Sequence, residues 1–252
     1  MRADQLLVDR GLAVSRAQAQ RLIAAGVQWG VGDGPMRRVA KNGDEVPQAA
    51  DLVLLNDAET RYVSRGGLKL EGALEVAGWD VSGWRCLDVG QSTGGFTDCL
   101  LQNGAAQVVG VDVGHGQVHA RIRNDLRVVC VEGVNARELA PLDERIPDAA
   151  RGFDLLGGEV SFIELTLVLP GVVPLLKPGG RLLMLVKAQF ELEPGQVGKG
   201  GIVRDVALYA RVQARLCRAC VDLGLQVQAW LDSPLEGGDG NREFFVQAVR
   251  PA

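Results

Sequence analysis

The sequence has no apolar run long enough to cross a membrane. No uninterrupted apolar stretch among its 252 residues approaches the roughly 18 residues that a spanning helix needs. Asp4 and Asp9 interrupt the N-terminus, so the pattern of a secretory signal is missing as well. These absences argue against a membrane protein or an exported one, and we expect the chain to work in the cytoplasm without a membrane partner.

The cysteine pattern of a disulfide framework is also missing. The five cysteines are scattered and odd in number, which argues against paired bridges. Cys217 and Cys220 form one C-x-x-C, but it lies in a helix-like stretch and no second ligand pair accompanies it. We interpret the two thiols as part of an apolar helix face, the alternative being a metal or redox site. We expect no bound metal.

Positive charge is not in excess over the whole chain. The formal net charge is −4, so any contact with nucleic acid must come from a local patch. Apolar residues make up 47% of the chain, enough for a sizeable core. The length suits one large domain, or one domain with a small appendage.

Residues 1–57 are predicted to form a separate small module. Its predicted elements are helices over 4–10 and 16–25, a strand over 27–31 and an extended piece over 52–55. Gly11 is a natural stop for the first helix, and Ser15 is a natural cap for the second. The polar connector 56–60 marks the boundary with the second predicted domain, 61–252.

This module carries a local excess of positive charge. Its first 43 residues hold seven Lys or Arg against three Asp. Such an excess favours phosphate binding, the alternative being an ordinary solvated surface. The residues predicted to bind RNA are Arg16, Arg21, Arg37, Arg38 and Lys41.

The glycine-rich stretch from Cys86 to Phe96 is the motif that best indicates a binding site. A buried strand over 85–89 runs into it, and a helix is predicted to begin near Thr93. Glycines let the backbone approach a ligand closely, and the N–H groups of a helix start can bind its polar end. Such a turn at the carboxyl end of a strand is the expected binding crevice of an open α/β sheet, the alternative being an ordinary βα loop.

The next strand strengthens the interpretation as a cofactor site. It covers 107–111 and ends on Asp112, about 20 residues after the turn, where a carboxylate can accept hydrogen bonds from ribose hydroxyls. The loop reads D-x-G-x-x-x-G-G-F, so it lacks the G-x-G-x-x-G of dinucleotide folds. It resembles the first motif of class I S-adenosylmethionine-dependent methyltransferases, and the run G-G-F-T-D resembles their ribose 2'-O-methyltransferase branch.

This resemblance implies S-adenosylmethionine as the cofactor. The residues implied to bind it are Asp88, Gly90, Ser92, Thr93, Gly94, Gly95, Phe96, Asp112 and Asn135. Asn135 follows a third strand, over 127–131, where such folds often contact the adenine.

Strands and helices alternate along the remaining chain and end in a hairpin-like pair of strands. The later predicted elements are strands over 153–156, 181–186 and 226–231, helices over 163–176 and 206–223, a turn over 177–180, and a strand that carries residues 241–245. This alternation predicts a doubly wound, Rossmann-like α/β sheet.

Lys187 ends the very apolar strand 181–186. Charged residues seldom stand at the end of a buried strand without a function or a partner, and a structural salt bridge is the alternative. Lys69 by itself is typical of a solvated helix residue. Glu243 by itself is typical of an outward-facing strand residue.

Several motifs together cover nearly the whole chain and resemble one family. They are the S4-like start, S-R-G-G-L-K-L, L-D-V-G-Q-S-T-G-G-F, N-A-R, V-S-F-I, V-K-A-Q-F-E, V-G-K-G-G and G-N-R-E-F. They resemble the TlyA family of S4-domain ribosomal RNA 2'-O-methyltransferases, which are often labelled hemolysins. The order of the N-terminal elements and the pattern Ser-Arg-x-x-Ala-x-x-Leu-Ile resemble the S4 RNA-binding fold, a small α+β domain.

The family resemblance implies a catalytic Lys–Asp–Lys–Glu tetrad, whose members here are Lys69, Glu159, Lys187 and Glu243. A ribose hydroxyl is a poor nucleophile and must be oriented and relieved of its proton as the methyl group arrives. Lys187 is the candidate base, since a second cation at Lys69 and partial burial favour its neutral form. Glu159 and Glu243 orient the ammonium groups, and the sulfonium of the cofactor makes a metal unnecessary.

Three positions depart from the family pattern. The family has Asp where this chain has Glu159, larger residues where it has Gly157 and Gly158, and usually Pro where it has Ala188. Glu is one methylene longer, and misplacing a carboxylate by about an ångström can cost roughly 100-fold in rate. The paired glycines either give the backbone room to compensate or mark a relaxed site.

The sequence thus predicts a ribosomal RNA ribose 2'-O-methyltransferase that acts on cytidine, with ribosomal RNA or ribosomal subunits as its partner. The alternative is an RNA-binding or ribosome-assembly protein that keeps the fold with weak or no methyl transfer. A secreted cytolysin is suggested by the family label alone. The missing signal and the missing amphipathic membrane helix argue against it.

Overall fold

The structure is a computed structural model that describes residues 1–32, 34–55, 60–141 and 143–252. It divides into two compact units, Met1–Arg65 and Gly66–Ala252. Most of the predicted connector 56–60 lies outside the described residues, so the boundary between 57 and 61 stays a prediction.

The first unit combines two helices with a small antiparallel sheet of strand order β2-β1-β3. Its elements are α1 (Ala3–Asp9), α2 (Arg16–Gly26), β1 (Val27–Gly30), β2 (Arg37–Arg38) and β3 (Asp51–Leu54). The predicted cap is confirmed, because the side chain of Ser15 accepts a hydrogen bond from the Gln18 N–H. Gly11 follows α1 with a φ of +70°, as expected for a helix stop. Leu7 and Leu22 are fully buried in this unit's core.

The second unit is built on a seven-stranded sheet of order β6-β5-β4-β7-β8-β10-β9. Its elements are α3 (Gly66–Ala77), β4 (Arg85–Val89), α4 (Gly95–Gln102), β5 (Gln107–Asp112), α5 (Ala120–Arg123), β6 (Val128–Glu132), β7 (Phe153–Glu159), α6 (Leu165–Val172), β8 (Leu176–Lys187), α7 (Val206–Asp222), β9 (Gln226–Asp232) and β10 (Glu243–Val249). The strands from β6 to β8 are parallel, and β10 is antiparallel to both of its neighbours. The predicted Rossmann-like α/β fold is confirmed.

The strand order explains where a site can form. The chain adds β5 and β6 on one side of β4, then β7 and β8 on the other, so the topological switch lies between β4 and its neighbours. In an open α/β sheet the ligand crevice lies at such a switch, beyond the carboxyl ends of the strands. Because β10 runs antiparallel to β8, its first residue, Glu243, lies at this same edge and pairs with Lys187.

The core of the second unit follows from the apolar strands. All five residues of β4 are buried, and Phe153, Leu156 and Phe245 are fully enclosed. Strands that are covered on both faces read as continuous apolar runs, which is why these segments were recognisable in the sequence. On α7 the buried residues Leu208, Val212, Leu216 and Cys220 recur at helical spacing. Cys220 therefore belongs to an apolar helix face, as predicted.

Two predicted boundaries are wrong. Residues 177–180 do not separate a helix from a strand; they form an irregularity inside β8, since Phe153 pairs with Leu176 while Leu155 pairs with Arg181. The backbone of Arg250 holds this loop in place through hydrogen bonds to Gly179 and Gly180. The helix predicted over 163–176 is shorter, and α6 gives way to a 3-10 turn at Val173–Leu175. Pro174 cannot donate the hydrogen bond that would continue an α-helix.

Across the described residues, every helix is too short or too polar to span a bilayer.

Candidate active site

The predicted tetrad residues meet at the carboxyl edge of the sheet, although they come from four different elements. Lys69 lies in α3, while Glu159 and Lys187 end β7 and β8 and Glu243 begins β10. The Oε1 atom of Glu159 lies 3.0 Å from Lys69 Nζ and 2.9 Å from Lys187 Nζ. Lys69 Nζ also lies 2.7 Å from Glu243 Oε2. The result is a continuous chain of alternating charges.

Burial divides this chain of charges into two layers. The side chains of Glu243 and Lys69 are 2% and 7% exposed, so they form an enclosed pair. The side chains of Lys187 and Glu159 are 14% and 23% exposed and lie on the solvent side. A substrate entering from solvent therefore meets Lys187 and Glu159 first.

The two carboxylates experience opposite net effects. Burial raises the pKa of Glu159, but Lys69 and Lys187 outweigh it, and the pKa lies below its usual value. Burial also raises the pKa of Glu243, and there the opposing charge of Lys69 is too weak to reverse the shift. Glu159 is thus held as an anion by two cations, whereas Glu243 depends mainly on Lys69.

Two residues that sequence reasoning left without a role complete the tetrad's surroundings. Lys187 Nζ donates a hydrogen bond to Ser161 Oγ at 2.7 Å. Phe162 is 89% exposed and has a φ of +63°, a region that bulky residues rarely adopt. Its ring centroid lies 4.8 Å from that of Phe190. The signal available was the run V-S-F-I, which places a hydroxyl and an aromatic ring directly after the candidate carboxylate.

A cavity of about 360 Å³ opens beside the tetrad, and Glu159 is part of its lining. Its volume falls within the usual range for small-molecule sites. Four of the predicted cofactor residues line it, namely Gly90, Ser92, Asp112 and Asn135. The apolar part of the wall comes from Val111, Val134, Val160, Ile163 and Val168.

Asp112 is fixed in the cavity wall by backbone donors. Its Oδ2 accepts a hydrogen bond from the Ser92 N–H at 2.8 Å, and its Oδ1 accepts one from the Gly114 N–H at 2.7 Å. Each carboxylate oxygen can accept a second hydrogen bond, so this side chain retains acceptor capacity for hydroxyl groups. Asn135 is fixed similarly, because its Oδ1 accepts from the Arg137 N–H at 3.1 Å.

The other predicted cofactor residues build the turn that supports this wall. Gly94 has a φ of +95° and caps α4, which begins at Gly95 rather than near Thr93. Phe96 is buried, with its ring 6.1 Å from that of Phe245.

Asp88 is buried beneath this turn, and its Oδ2 accepts hydrogen bonds from the Thr97 N–H at 3.0 Å and the Thr97 hydroxyl at 2.6 Å. Burial raises the pKa of Asp88 to about 7. Its Oδ1 has no hydrogen-bond partner among the described residues.

The residues predicted to bind RNA all lie in the first unit. Arg16, Arg37, Arg38 and Lys41 are exposed, while Arg21 is half-buried. Arg37 lies over the ring of Trp29, 5.7 Å from its centroid. Arg16 also has a structural contact, because its Nη2 lies 2.9 Å from Oδ2 of the buried Asp4. Their role in RNA binding stays a prediction.

Residues 62–250 match the family model of FtsJ-like methyltransferases. The 16S/23S rRNA (cytidine-2'-O)-methyltransferase TlyA of Mycobacterium tuberculosis (strain CDC 1551 / Oshkosh) is 44% identical over 246 residues, which cover 97% of this chain and 88% of that protein. The Bacillus subtilis (strain 168) protein YqxC, named as an rRNA methyltransferase, is 42% identical over 99% of this chain and 86% of its own length. A solved Streptococcus thermophilus structure labelled as a hemolysin is 39% identical, with a TM-score of 0.75 over 100% of this chain and 88% of that one. The chain therefore belongs to the FtsJ-like methyltransferase family and, within it, to the TlyA group.

Proposed function

We propose that the protein transfers a methyl group from S-adenosylmethionine to the ribose 2'-hydroxyl of a cytidine in ribosomal RNA. The observation that carries this proposal is the arrangement at Glu159, where two lysine ammonium groups share one carboxylate oxygen beside a cavity of ligand size. The relatives named as rRNA (cytidine-2'-O)-methyltransferases support the choice of substrate.

The cavity residues fit S-adenosylmethionine. Asp112 would hold the ribose hydroxyls, since both of its oxygens are fixed by backbone N–H groups and can still accept. The apolar wall around Val134 and the amide of Asn135 suit an adenine ring, and the turn at Gly90 and Ser92 suits the methionine part. Asp88 Oδ1, buried without a partner among the described residues, is a further acceptor next to that turn. When bound, the cofactor supplies a methyl group made electrophilic by the positive charge on sulfur.

Lys187 is the proposed base. Lys69 is enclosed and lies close to two carboxylates, whereas Lys187 is more exposed and shares its one carboxylate oxygen with Lys69. Lys187 is therefore the lysine that more easily releases a proton to solvent before the reaction. The proton of the 2'-hydroxyl then passes to Lys187 Nζ, where hydrogen bonds to Glu159 and Ser161 hold it.

The remaining tetrad residues orient this base. Glu159 fixes the direction of Lys187 Nζ and, as an anion, stabilises the ammonium group that forms. Glu243 holds Lys69 from the opposite side, so the shared oxygen of Glu159 stays between the two lysines. Methyl transfer depends on alignment, and two fixed contacts on Lys187 Nζ restrict the approach of the hydroxyl.

The first unit is proposed to bind the RNA. Its exposed basic residues can track the phosphate backbone without reading bases, which would bring a ribose to the tetrad. This proposal includes an S4-like role for the unit, supported by its helix–helix–strand order and by its local charge.

The test is methyl transfer from labelled S-adenosylmethionine to ribosomal subunits from a strain that lacks this gene. We expect incorporation at a ribose, seen as resistance of one linkage to alkaline cleavage, and its loss in Lys187→Ala. Cofactor binding by calorimetry serves as the control for a correctly formed site in the variant. Binding of the cofactor without any transfer by the unaltered protein would refute the enzyme and favour an RNA-binding role.

A further inference from the structure

Three glycines surround Glu159 and leave no room for side chains. A Cβ atom at Gly90 would lie 2.5 Å from the carbonyl oxygen of Glu159, and one at Gly66 would lie 3.1 Å from its Oε2. A Cβ atom at Gly158 would lie 2.3 Å from the carbonyl oxygen of Val89. The position of Glu159 thus depends on backbone approaches that glycine alone permits.

Gly158 is the glycine that sets the position of the strand end. It pairs with Val89 across the parallel strands β4 and β7, and a Cβ there would also lie 2.9 Å from Val89 Cβ. On the other side, the nearest atom is the flexible end of Met184, at 3.0 Å. A side chain at 158 would therefore push the end of β7 away from β4 and towards β8, the strand that ends in Lys187.

Gly157 provides the contrast. The nearest atoms to a Cβ at this position are the carbonyl oxygen of Leu183 at 3.6 Å and a ring carbon of Phe96 at 4.0 Å. These are ordinary van der Waals distances, so the site tolerates a methyl group. Only one of the two adjacent glycines is required by packing.

The length of Glu159 matches this backbone position. Glu carries its carboxylate one methylene further from the backbone than Asp, and here one oxygen reaches both lysines at 3.0 and 2.9 Å. A strand end moved towards Lys187 would make the longer side chain overreach, whereas a shorter carboxylate would then fit.

We propose that Gly158 is a positioning residue for Glu159: its missing side chain sets the end of β7 back against β4, and the longer Glu159 restores the distance to both lysines. The proposal rests on the proposed methyl transfer, and it makes positions 158 and 159 a coupled pair.

The test is a double-mutant cycle with Gly158→Ala and Glu159→Asp. Each single variant moves the carboxylate by about an ångström, and we expect each to lower kcat roughly 10- to 100-fold while KM for S-adenosylmethionine changes less than about threefold. The double variant should recover kcat to within about tenfold of the unaltered protein, because its two displacements compensate. Gly157→Ala is the matched control and should keep full activity.

Thermal unfolding of the same proteins gives a second, independent cycle. Gly158→Ala should lower Tm by about 3–10 °C alone and by less when combined with Glu159→Asp, because the overpacking is partly relieved. Equal losses in both backgrounds, in kcat and in Tm, would overturn the proposal. If the unaltered protein transfers no methyl group, the proposed function fails, and the Tm cycle alone decides whether the two positions are coupled.

Discussion

Lys69 and Lys187 bind the same carboxylate oxygen, with Nζ distances of 3.0 and 2.9 Å to Oε1 of Glu159. Two cations this close repel each other unless an anion lies between them. The charge of Glu159, more than its shape, therefore holds the arrangement together.

Replacing Glu159 by Gln tests this directly, because the amide keeps the size and removes the charge. We expect kcat to fall about 100-fold or more, since the ammonium that forms on Lys187 loses its stabilising anion. Single-turnover methyl transfer measures the effect. Glu164→Gln is the control, because Glu164 lies on the same loop and pairs with Arg215 at the surface. Equal activity of Glu159→Gln and the unaltered protein would show that the charge is not needed.

The buried pair Lys69–Glu243 makes a prediction about stability. Lys69→Met removes the cation that lies 2.7 Å from an enclosed carboxylate, so the folded state loses about 3 kcal/mol. Urea unfolding measures this loss. Adding Glu243→Gln should restore part of it, because the second change removes the uncompensated buried charge. A loss that is no smaller in the double variant would argue against the pair as the cause.

The sequence predicted much of this site, for reasons that differ from residue to residue. Asp112 and Lys187 end apolar strands, and the carboxyl ends of parallel strands share one edge, so local pattern was sufficient to place them. Lys69 and Glu243 looked like solvated residues, and only the family resemblance singled them out. Their meeting depends on β10 pairing antiparallel with β8, a long-range choice that no local pattern encodes.

Other features were beyond sequence reasoning because they are properties of packing. The loop at 177–180 sits inside β8 because the backbone of Arg250 holds it, far away in sequence. The close approach of Gly158 to Val89 likewise appears only once β4 and β7 are paired.

Asp88 makes a prediction about pH. Burial raises its pKa to about 7, from 3.8 in the unfolded chain, so between these values the folded state holds a proton that the unfolded state has lost. The contribution of Asp88 to stability is therefore complete below about pH 4 and declines as the pH rises towards 7. Asp88→Asn removes this titration. The free energy of unfolding of the unaltered protein, minus that of the variant, should fall between pH 4 and pH 7, and a constant difference would refute the assignment.

The basic residues of the first unit make a prediction about salt. If Arg37 and Arg38 contact phosphates, replacing either by Ala weakens RNA binding and reduces the slope of log K against log salt by about 1. Titration of a ribosomal RNA fragment at several salt concentrations measures the slope. Arg218→Ala is the control, because Arg218 is an exposed arginine of the second unit that pairs with Asp222. An unchanged slope in both variants would exclude these two residues from the RNA interface.

Phe162 makes a prediction about substrate recognition. Its ring is exposed beside the cavity and near Phe190, which makes it a stacking surface for the target base. Stacking of a base on an aromatic side chain contributes about 1–3 kcal/mol, so Phe162→Gly should lower kcat/KM for RNA roughly 10- to 100-fold. The same change should raise Tm or leave it unchanged, because glycine adopts the φ of +63° without strain and no buried surface is lost. Phe162→Trp should keep most of the activity, and a variant series in which kcat/KM ignores the aromatic ring would show that the base is not held there.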